Sequence, residues 1–456
     1  MSTPKAAAPL RAAAKTTPAA VRKVAAARTV KTARAVLGEV SDELRRTQLA
    51  GLQWTVRHAY EGSTFWQARL DKAKVAPESI RSLDDLQRLP VTSASDLAEG
   101  YPLPLVAVPV EDIVRVHSTS GTTGRRKILG YTRQDLADWT EYFARCLRMA
   151  EVGRGDRVHI AAGFGLWTAG AGFQAACEAV GAMAIPVGPG NMDLQCQFLT
   201  DLRPTVVCGT ASGVLLLAEE VGRRNLREQL AVRTVIQGGE RCSDAMRRRI
   251  RELLGAGHVH DLAGLTELYG PGTGIECRAH AGIHYWADAY ILELLDPNTL
   301  RPVRDGEIGE MVVTTLRKEA VPLIRYRTRD LTRLVPGACA CGSTFPRHDR
   351  LVGRDDDMFM FRAVSIYPGQ LEAILSGVEG VSSEYDVTLE RKFGKDTMTV
   401  RVERSPAGDP RTDEKTEAEI EHGIKSRILV SAEVSVVDFG TLPRSRDTAR
   451  RVFDKR

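Results

Sequence analysis

The chain has 456 residues, of which 43% are hydrophobic and 27% charged, a composition typical of a globular protein with more than one core. No apolar run approaches the roughly 20 residues that span a bilayer, so we expect no membrane partner. Residues 1–38 carry eight Lys and Arg and no acidic side chain, so the net charge of +5 leaves −3 for the remainder. Because the chain outside residues 1–38 is slightly acidic, we expect no nucleic-acid partner for it.

Residues 1–38 form an Ala-rich, basic tail of low complexity. The lack of acidic residues is typical of an organelle-targeting peptide, although serine is scarce and no Arg-rich face is clear. The alternative is a flexible leader that precedes the first helix. The stretch "SDELRRTQLAGLQWTVRHAY" predicts that helix from Ser41, because serine suits an N-cap and the apolar residues recur at helical spacing.

Strand-like and helix-like stretches alternate through the middle of the chain. Short β-branched runs such as "DRVHIAAGF", "TVVCGT" and "AVRTVIQGGE" are separated by helical patterns. This alternation predicts a doubly wound α/β domain with a largely parallel sheet. The Gly-rich stretches "GFGLWTAGAG", "QGGE" and "AGLTELYGPGTG" each follow a predicted strand. Since ligands bind at the carboxyl ends of such strands, these stretches predict a binding crevice.

The pattern changes towards the C-terminus. From about residue 285 to 335 it alternates with period two and contains hairpin turns, which predicts an antiparallel β subdomain. The charged junction "VGRDDDMFMF" then precedes a segment with mixed α and β patterning from 364 to 439. We therefore predict a domain boundary near residue 353, giving a tail of residues 1–38, a large domain of 39–352 and a small domain of 353–456.

The most specific stretch is "HSTSGTTGRRKILGYT", residues 117–132. A loop so dense in backbone N–H groups and hydroxyls can surround a polyphosphate, and Lys127 adds a cation beside it. Its spacing differs from that of a GxxxxGK[ST] P-loop. Loops of Gly, Ser and Thr are more often simple turns, but the order Ser-Gly-Thr-Thr-Gly followed by Lys is much rarer.

This segment resembles the phosphate loop of the adenylate-forming superfamily, which contains acyl-CoA synthetases, peptide-synthetase adenylation domains and luciferases. "HDLAGLTELYGPGTGIEC", "RYRTRDLTRL" and "GRDDDMFMFRAVSIYPGQLEAIL" resemble three further motifs in the same order. "KEAVPLIRYRTRDLTRL", the Cys-x-Cys-Gly and the "PRS…RV.DKR" ending narrow the resemblance to the phenylacetate–CoA ligase family, from about residue 45 to 456. It implies a large N-terminal doubly wound α/β domain with an antiparallel β subdomain, and a small mobile α+β C-terminal domain.

The resemblance implies a reaction with two halves. ATP with Mg²⁺ first converts an aromatic or similar carboxylic acid to an acyl-adenylate, and coenzyme A then displaces AMP to give a thioester. The implied ligands of the ATP phosphates are Ser120, Gly121, Thr122, Thr123, Gly124 and Lys127. Thr266 and Glu267 would lie at the α-phosphate and the Mg²⁺, because a carboxylate oxygen suits a hard cation.

Further roles follow from the same resemblance. Asp330 would bind the ribose hydroxyls, and Arg327 lies in the same motif. The adenine and acyl sites would be lined by Gly238, Gly239 and Glu240. The small domain rotates between the two halves in this family, and the implied hinge is Asp356 and Asp357. For each single residue the alternative is ordinary use in a turn or at the surface.

The acid-binding pocket can be placed only by position. Phe164, Trp167 and Tyr142, with Phe143 beside it, stand where the family builds its aryl-acid pocket. Aromatic residues at these spacings are more often simply part of a core. Phe164 and Trp167 are the stronger candidates, because they lie in a Gly-rich loop after a predicted strand.

Eight cysteines, mostly in apolar surroundings, predict buried free thiols and a reducing, cytoplasmic location. Three of them have a different spacing. Cys277 and His284 form a Cys-x₆-His pair, and Cys339 and Cys341 form a Cys-x-Cys pair, a set suited to tetrahedral Zn²⁺. Members of the resembled family have such a cluster, which implies structural zinc. His280 is a competing ligand, and the alternative is three free thiols.

Three positions depart from the family pattern. Thr448 occupies the position of the lysine that would bridge the acid and the α-phosphate. Ala263 occupies the position of a tyrosine that usually stacks on adenine, and Ala363 replaces a glycine. A lost charge contact in such a site costs about 3–4 kcal/mol, or 10²–10³ in rate. Three functions therefore stay open: an acid–CoA ligase whose efficiency is in doubt, a ligase that uses an amine or other acceptor, and a catalytically silent binding protein. A homodimer is compatible with each.

Overall fold

The chain forms a large α/β domain followed by a small α+β domain, and we describe it from a computed structural model. The structure describes residues 41–99, 101–103, 105–119, 126–355, 359–362, 364–392, 394–406, 408–442 and 451–456. The predicted tail, residues 1–38, lies outside the described residues. The helices are α1 Asp42–Gly62, α2 Thr64–Ala73, α3 Ala94–Glu99, α4 Arg133–Met149, α5 Thr168–Val180, α6 Met192–Asp201, α7 Ala211–Arg223, α8 Asp244–Leu254, α9 Pro368–Leu375 and α10 Asp413–Arg427.

The strands carry the rest of the regular structure. They are β1 Arg115–Ser118, β2 Ile128–Tyr131, β3 Arg157–Ile160, β4 Met183–Ile185, β5 Val206–Thr210, β6 Thr234–Gly238, β7 His258–Leu265, β8 Gly270–Glu276, β9 Ile283–Tyr285, β10 Tyr290–Leu295, β11 Gly309–Thr315, β12 Tyr326–Thr332, β13 Leu334–Val335, β14 Arg347–His348, β15 Gly353–Arg354, β16 Phe359–Phe361, β17 Val364–Ile366, β18 Val381–Lys392, β19 Lys395–Arg404, β20 Glu433–Val437 and β21 Val452–Asp454.

The largest sheet confirms the predicted doubly wound domain. Its order is β13-β14-β9-β8-β7-β6-β5-β3-β4, with parallel pairing from β4 to β7 and antiparallel pairing from β7 to β13. Val207 and Val235 pack with α6, α7 and α8 on one face, whereas Cys208 and Ile236 pack with α4 and α5 on the other. Covering both faces explains the nearly continuous apolar runs of these strands.

The predicted first helix and the antiparallel subdomain are also present. The Ser41 side chain accepts a hydrogen bond from the Leu44 N–H at 3.2 Å and so caps α1. The second sheet has the order β10-β11-β12-β15 and is antiparallel. Its strand β15 pairs Gly353 with Leu331 and Arg354 with Asp330, so the first two residues of the predicted small domain belong to this sheet.

The small domain contains a sheet of order β20-β19-β18-β21, against which α9 and α10 pack. Strands β18 and β19 form an antiparallel hairpin, and β20 and β21 add to its two sides in parallel. Ile420 and Ile424 of α10 contribute to a core with Val387 and Val400 of the sheet. This arrangement agrees with the mixed patterning predicted for residues 364–439.

A buried aspartate joins α4 to the connection between β11 and β12. The Asp135 carboxylate accepts hydrogen bonds from the backbone N–H groups of Thr132 at 3.1 Å, Glu319 at 2.8 Å and Ala320 at 2.9 Å. The Thr132 hydroxyl also donates to the Glu319 carboxylate at 2.7 Å. Asp135 therefore fixes the connection that carries Lys318.

A buried histidine in β14 makes the stability of the large domain depend on pH. His348 Nδ1 donates to the Asp349 carbonyl at 2.7 Å, and Nε2 has no hydrogen-bond partner among the described residues. Burial lowers the pKa of His348 to about 4. In the unfolded chain the imidazole titrates near pH 6.5. Between pH 4 and pH 6.5 the unfolded state therefore binds a proton that the folded state does not bind.

Stability should therefore fall as the pH falls from 6.5 to 4, and the part due to His348 is about 3 kcal/mol. Between pH 7 and pH 4, the free energy of unfolding in urea should fall by about 3 kcal/mol more for the wild type than for the His348→Phe variant. His422 is exposed on α10, so His422→Phe should follow the wild type. Equal pH slopes for wild type and His348→Phe would contradict the assignment.

Candidate active site

A buried ion pair lies at the carboxyl end of the parallel sheet. Lys127 Nζ lies 2.9 Å from Glu267 Oε1, to which the Tyr326 hydroxyl also donates at 3.1 Å. Burial opposes ionisation of Glu267, but the Lys127 charge and these hydrogen bonds outweigh it and hold the pKa of Glu267 below its usual range. Glu267 is thus a carboxylate at neutral pH, and the structure brings together two residues that the sequence analysis placed in separate motifs.

Behind this pair lies a fully buried lysine that the sequence analysis did not single out. Lys318 Nζ donates to the Glu267 carbonyl at 2.7 Å and lies over the rings of Tyr131 and Tyr269. The Tyr131 hydroxyl donates to the adjacent Thr266 carbonyl at 3.2 Å. Burial lowers the pKa of Lys318 to about 8, against the opposing charges of Asp135 and Glu267. These bonds fix the backbone that presents Thr266 and Glu267.

The predicted phosphate loop begins and ends at the hairpin of β1 and β2. Ser120, Gly121, Thr122, Thr123 and Gly124 lie outside the described residues. On either side, Thr119 N donates to the Lys127 carbonyl at 3.1 Å, and Lys127 N donates to Thr119 Oγ1 at 3.2 Å. Ser118 N donates to the Leu166 carbonyl at 2.9 Å. The two ends of the loop are therefore held together, beside the Gly-rich stretch that contains Phe164.

A cavity of about 470 Å³ opens beside the ion pair, and its wall includes Lys127, Glu267 and Tyr326. Two arginines on the same wall connect it to the domain junction: Arg329 pairs with Asp355 at 2.9 Å, and Arg354 lies 3.4 Å from Asp330. Arg354 and Asp355 directly precede the predicted hinge. Asp356 and Asp357 themselves lie outside the described residues. The cavity thus extends from the phosphate side to the junction.

Arg327 is held by a buried carboxylate. Its guanidinium lies 2.5 Å from Glu310 Oε2 and donates to the Pro297 carbonyl at 2.8 Å, while Glu310 is fully buried. The guanidinium thus links β12 to the buried carboxylate of β11, and the residue also borders the cavity. The neighbouring Arg329 and the buried Asp330 instead contact Asp355 and Arg354 at the domain junction, as described above.

The crevice at the end of β6 brings together the predicted acyl-site residues. Gly239 has φ of +80°, and a Cβ there would lie 3.7 Å from the Trp167 ring. Phe164 packs over Gly170 and is 38% exposed, so its ring borders solvent at the crevice. Gly238 approaches the Leu262 carbonyl so closely that a side chain would collide with it. Trp167 therefore borders the Gly238–Gly239 turn, whereas Phe164 lies on the start of α5.

The remaining predicted pocket residues contact other groups. Glu240 accepts a hydrogen bond from Ser212 N at 2.6 Å and another from the Ser212 hydroxyl, at the N-terminal turn of α7. Tyr142 packs edge-on against Tyr269 at 5.2 Å and lies beneath the Arg145 guanidinium. Phe143, which the sequence placed beside it, is fully buried against Phe173. Phe143 is therefore a core residue.

Of the three departures, Ala263 is described and lies in β7, paired with Gly274 of β8. The next residue, Gly264, approaches Pro271 and the Gly270 carbonyl so closely that a Cβ would collide with them. Ala363 and Thr448 lie outside the described residues.

A separate cluster assembles the predicted metal ligands. One ligand atom each from Cys277, His284, Cys339 and Cys341 lies within 4.8 Å of the others. The two closest pairs are Cys277 Sγ with Cys339 Sγ at 3.5 Å and Cys341 Sγ with His284 Nε2 at 3.3 Å. A sulfur–sulfur distance of 3.5 Å is far from a disulfide bond. His284 Nδ1 contacts the Phe345 carbonyl at 2.9 Å, an arrangement that directs Nε2 into the cluster.

The competing histidine lies elsewhere. His280 Nδ1 contacts the Glu276 carboxylate at 3.0 Å, and its Nε2 lies 3.3 Å from His258 Nδ1. Three thiols and one imidazole in a group of tetrahedral size fit Zn²⁺ well. The structure therefore brings together the four residues predicted from spacing, and it selects His284.

Comparison with known families decides the relationship. The model of the AMP-binding enzyme family matches residues 33–316, and that of the AMP-binding enzyme C-terminal domain matches residues 363–456. The phenylacetate-coenzyme A ligase of Escherichia coli (strain K12) is 39% identical over 421 residues, which cover 91% of this chain and 95% of that protein. The chain belongs to the phenylacetate–CoA ligase family.

Solved structures agree with membership of the phenylacetate–CoA ligase family. A 2-hydroxyisobutyryl-CoA ligase in its postadenylation state, in complex with 2-HIB-AMP, overlays with a TM-score of 0.85 at 29% identity, covering 93% of this chain and 92% of that chain. The same enzyme with 2-HIB-AMP and CoA in the thioesterification state overlays with a TM-score of 0.67 at 30% identity, covering 92% and 91%. The family resemblance and the predicted fold class are confirmed.

Proposed function

We propose that this member of the phenylacetate–CoA ligase family activates an aromatic or similar carboxylic acid with ATP and transfers the acyl group to coenzyme A. The observation that carries the proposal is the buried Lys127–Glu267 pair, 2.9 Å long, on the wall of the cavity at the carboxyl end of the sheet. An ion pair at the surface would be exposed to solvent. This pair is instead shielded, receives a hydrogen bond from Tyr326 and is supported by Lys318, as is typical of a functional site.

In the first half-reaction the acid carboxylate attacks the α-phosphate of ATP, and pyrophosphate leaves. Lys127 and the phosphate-loop residues from Ser120 to Gly124 would hold the phosphates. Thr266 and Glu267 would lie at the α-phosphate, where Glu267 would hold Mg²⁺. This fits the geometry, because among the described residues the hydrogen bonds to the Glu267 carboxylate go to Oε1. Asp330 would accept hydrogen bonds from the ribose hydroxyls.

The acid would bind near Gly238 and Gly239. Trp167 borders this turn and Phe164 is a partly exposed aromatic ring three residues before Trp167 in the chain, so these two residues are proposed to line the acid pocket. Tyr142 stays a prediction of lower rank, because its contacts are with Tyr269 and Arg145. Arg327 also stays a prediction, since Glu310 already holds its guanidinium.

Structural zinc is the second part of the proposal. Cys277, His284, Cys339 and Cys341 supply three sulfur ligands and one nitrogen ligand, which is a common structural zinc set. Zinc there would join β8 and β9 to the connection between β13 and β14, and it would supply no chemistry to the acid.

Free thiols support a reducing, cytoplasmic location: all eight cysteines are free, and only Cys341 is exposed. Among the described residues no helix has both the length and the apolar character that a membrane span requires. A small-molecule acid is the proposed partner, and a homodimer stays a prediction.

The proposed function is tested by mass spectrometry of the products formed from ATP, Mg²⁺ and a panel of aryl acids, with and without coenzyme A. We expect an acyl-CoA and AMP when coenzyme A is present. AMP release that needs an amine, with no thioester, would favour the alternative ligase with another acceptor. If no acid gives AMP, the protein is a silent binding protein and the proposal is wrong.

Thr448 should limit the first half-reaction, because the lysine expected there serves adenylation only. Thr448→Lys should raise the rate of ATP–pyrophosphate exchange about 10-fold or more, as a restored ammonium stabilises charge on the α-phosphate. Thioester formation from a preformed acyl-adenylate should change little. Arg446→Ala and Arg450→Ala test whether one of these arginines, which flank Thr448 in the sequence, replaces the lysine. A fast wild-type exchange that one of these changes abolishes would show that an arginine replaces the lysine.

A further inference from the structure

An arginine of the large domain contacts the small domain directly after the proposed acyl-site turn. Arg241 follows Gly238, Gly239 and Glu240, and its Nη1 lies 3.4 Å from Glu372 Oε2 on α9 of the small domain. The same nitrogen donates to the Val352 carbonyl at 3.4 Å, immediately before the domain junction. One side chain thus touches the small domain and the start of the junction.

The partner carboxylate is held by its own domain. The Tyr385 hydroxyl donates to Glu372 Oε1 at 3.2 Å, and Oε2 faces Arg241. The Glu372 side chain is 19% exposed. Burial raises the pKa of Glu372 above its usual range, and the charges of Arg241 and Arg451 offset this only in part. Glu372 is therefore a fixed receptor for a cation from the large domain.

The fit at this contact depends on a glycine. Gly369 lies in the first turn of α9, and a Cβ there would collide with Arg241 Nη1 and with the Val352 carbonyl. Any larger residue would push α9 away from the large domain. The close approach of the two domains is therefore built into both sides of the contact.

The contact belongs to one of several domain arrangements solved for a relative. The protein overlays that 2-hydroxyisobutyryl-CoA ligase with a TM-score of 0.85 in the postadenylation state and 0.67 in the thioesterification state. The described arrangement is thus closer to that of the postadenylation state, in which the acyl-adenylate is bound, than to that of the thioesterification state. Because the two states place the small domain differently, a contact that joins α9 to Arg241 in one of them is not expected in the other.

We propose that Arg241 is a positioning residue for adenylation: by docking on Glu372 and Gly369 it holds the small domain over the site and fixes the turn that lines the acyl pocket. This inference rests on the proposed function. It assigns Arg241 no part in the second half-reaction, in which the contact is released.

The test measures the two half-reactions separately in Arg241→Ala, Arg241→Lys and Gly369→Ala. ATP–pyrophosphate exchange with phenylacetate reports adenylation, and thioester formation from preformed phenylacetyl-adenylate and coenzyme A reports the second half. We expect Arg241→Ala and Gly369→Ala to slow exchange about 10-fold, with Arg241→Lys in between, and to change thioester formation by less than about twofold. Equal losses in both halves, or no loss in exchange, would overturn the proposal.

Two controls make the result specific. Arg350 pairs with Asp244 inside the large domain at 2.8 Å, so Arg350→Ala should leave both half-reactions unchanged. In a double-mutant cycle, Arg241→Ala combined with Glu372→Gln should be no slower in exchange than Arg241→Ala alone. Additive losses would show that the two residues act independently, against the proposal.

A readout without catalysis separates this inference from the proposed function. Deuterium uptake of α9 in the ligand-free protein should rise in Arg241→Ala and stay at the wild-type level in Arg350→Ala. Unchanged uptake in Arg241→Ala would overturn the docking role. Failure of the proposed function would appear instead as absence of exchange in the unmodified protein with every acid of the panel.

Discussion

Replacing Glu267 by Gln is expected to lower the rate of adenylation about 100- to 1000-fold. The substitution keeps the size of the side chain and removes the charge that pairs with Lys127 and would hold Mg²⁺. Lys127→Ala should have a loss of the same order, because the two side chains form one pair. ATP–pyrophosphate exchange with phenylacetate measures the rate, and titration calorimetry measures the affinity for ATP with Mg²⁺.

The matched control for this prediction is Glu141→Gln. Glu141 is an exposed acid on α4 that pairs with Arg148 at 2.9 Å, so its neutralisation should leave exchange unchanged. ATP affinity and exchange that stay at the wild-type level in both Glu267→Gln and Lys127→Ala would remove the basis for placing the phosphates at this pair.

Replacing Cys339 by Ser is expected to release zinc and to lower the stability of the large domain by more than about 4 kcal/mol. Cys339 lies in the cluster that joins β8 and β9 to the residues around β14, so loss of the metal removes a constraint between segments far apart in sequence. The wild type should contain about one equivalent of zinc by elemental analysis. Urea unfolding before and after chelation measures the stability.

Cys242→Ser is the matched control, because Cys242 is a buried free thiol outside the cluster. This variant should keep its zinc. Two results would contradict the metal assignment: a well-folded wild type that holds no zinc, or a Cys339→Ser variant that keeps a full equivalent.

Much of the architecture could be predicted because the sequence pattern is local. The alternation of strand and helix patterns, the change to period two near residue 285 and the N-cap at Ser41 each depend on neighbours in sequence. Lys127 and Glu267 could each be named as candidates because each lies in a dense motif, and the fold then shows that they form an ion pair. The Cys-x₆-His and Cys-x-Cys spacings likewise named Cys277, His284, Cys339 and Cys341 as candidate metal ligands, with His280 as a competing ligand.

What sequence could not give depends on distant partners. Lys318 is 51 residues from Glu267, and only the fold shows that its Nζ reaches the Glu267 carbonyl. His280 was a competitor of His284 in the sequence, and only the fold shows that the Glu276 carboxylate contacts His280 outside the cluster. Arg327 was grouped with Asp330 by its motif, yet Glu310 of the neighbouring strand holds it. Motifs identify candidate site residues, and the packing of the fold determines which of their side chains are already bound by other residues.

The carboxylate that joins α4 to the β11–β12 connection has a consequence for the local dynamics. The amides of Glu319 and Ala320 lie between strands, where loops commonly open on their own, yet both donate to the fully buried Asp135. Breaking these bonds would leave a charge buried without its donors, so a local fluctuation cannot free them cheaply. These two amides should accordingly exchange with solvent only in the large openings that expose the core, and the segment that supports Glu267 behaves as part of that core.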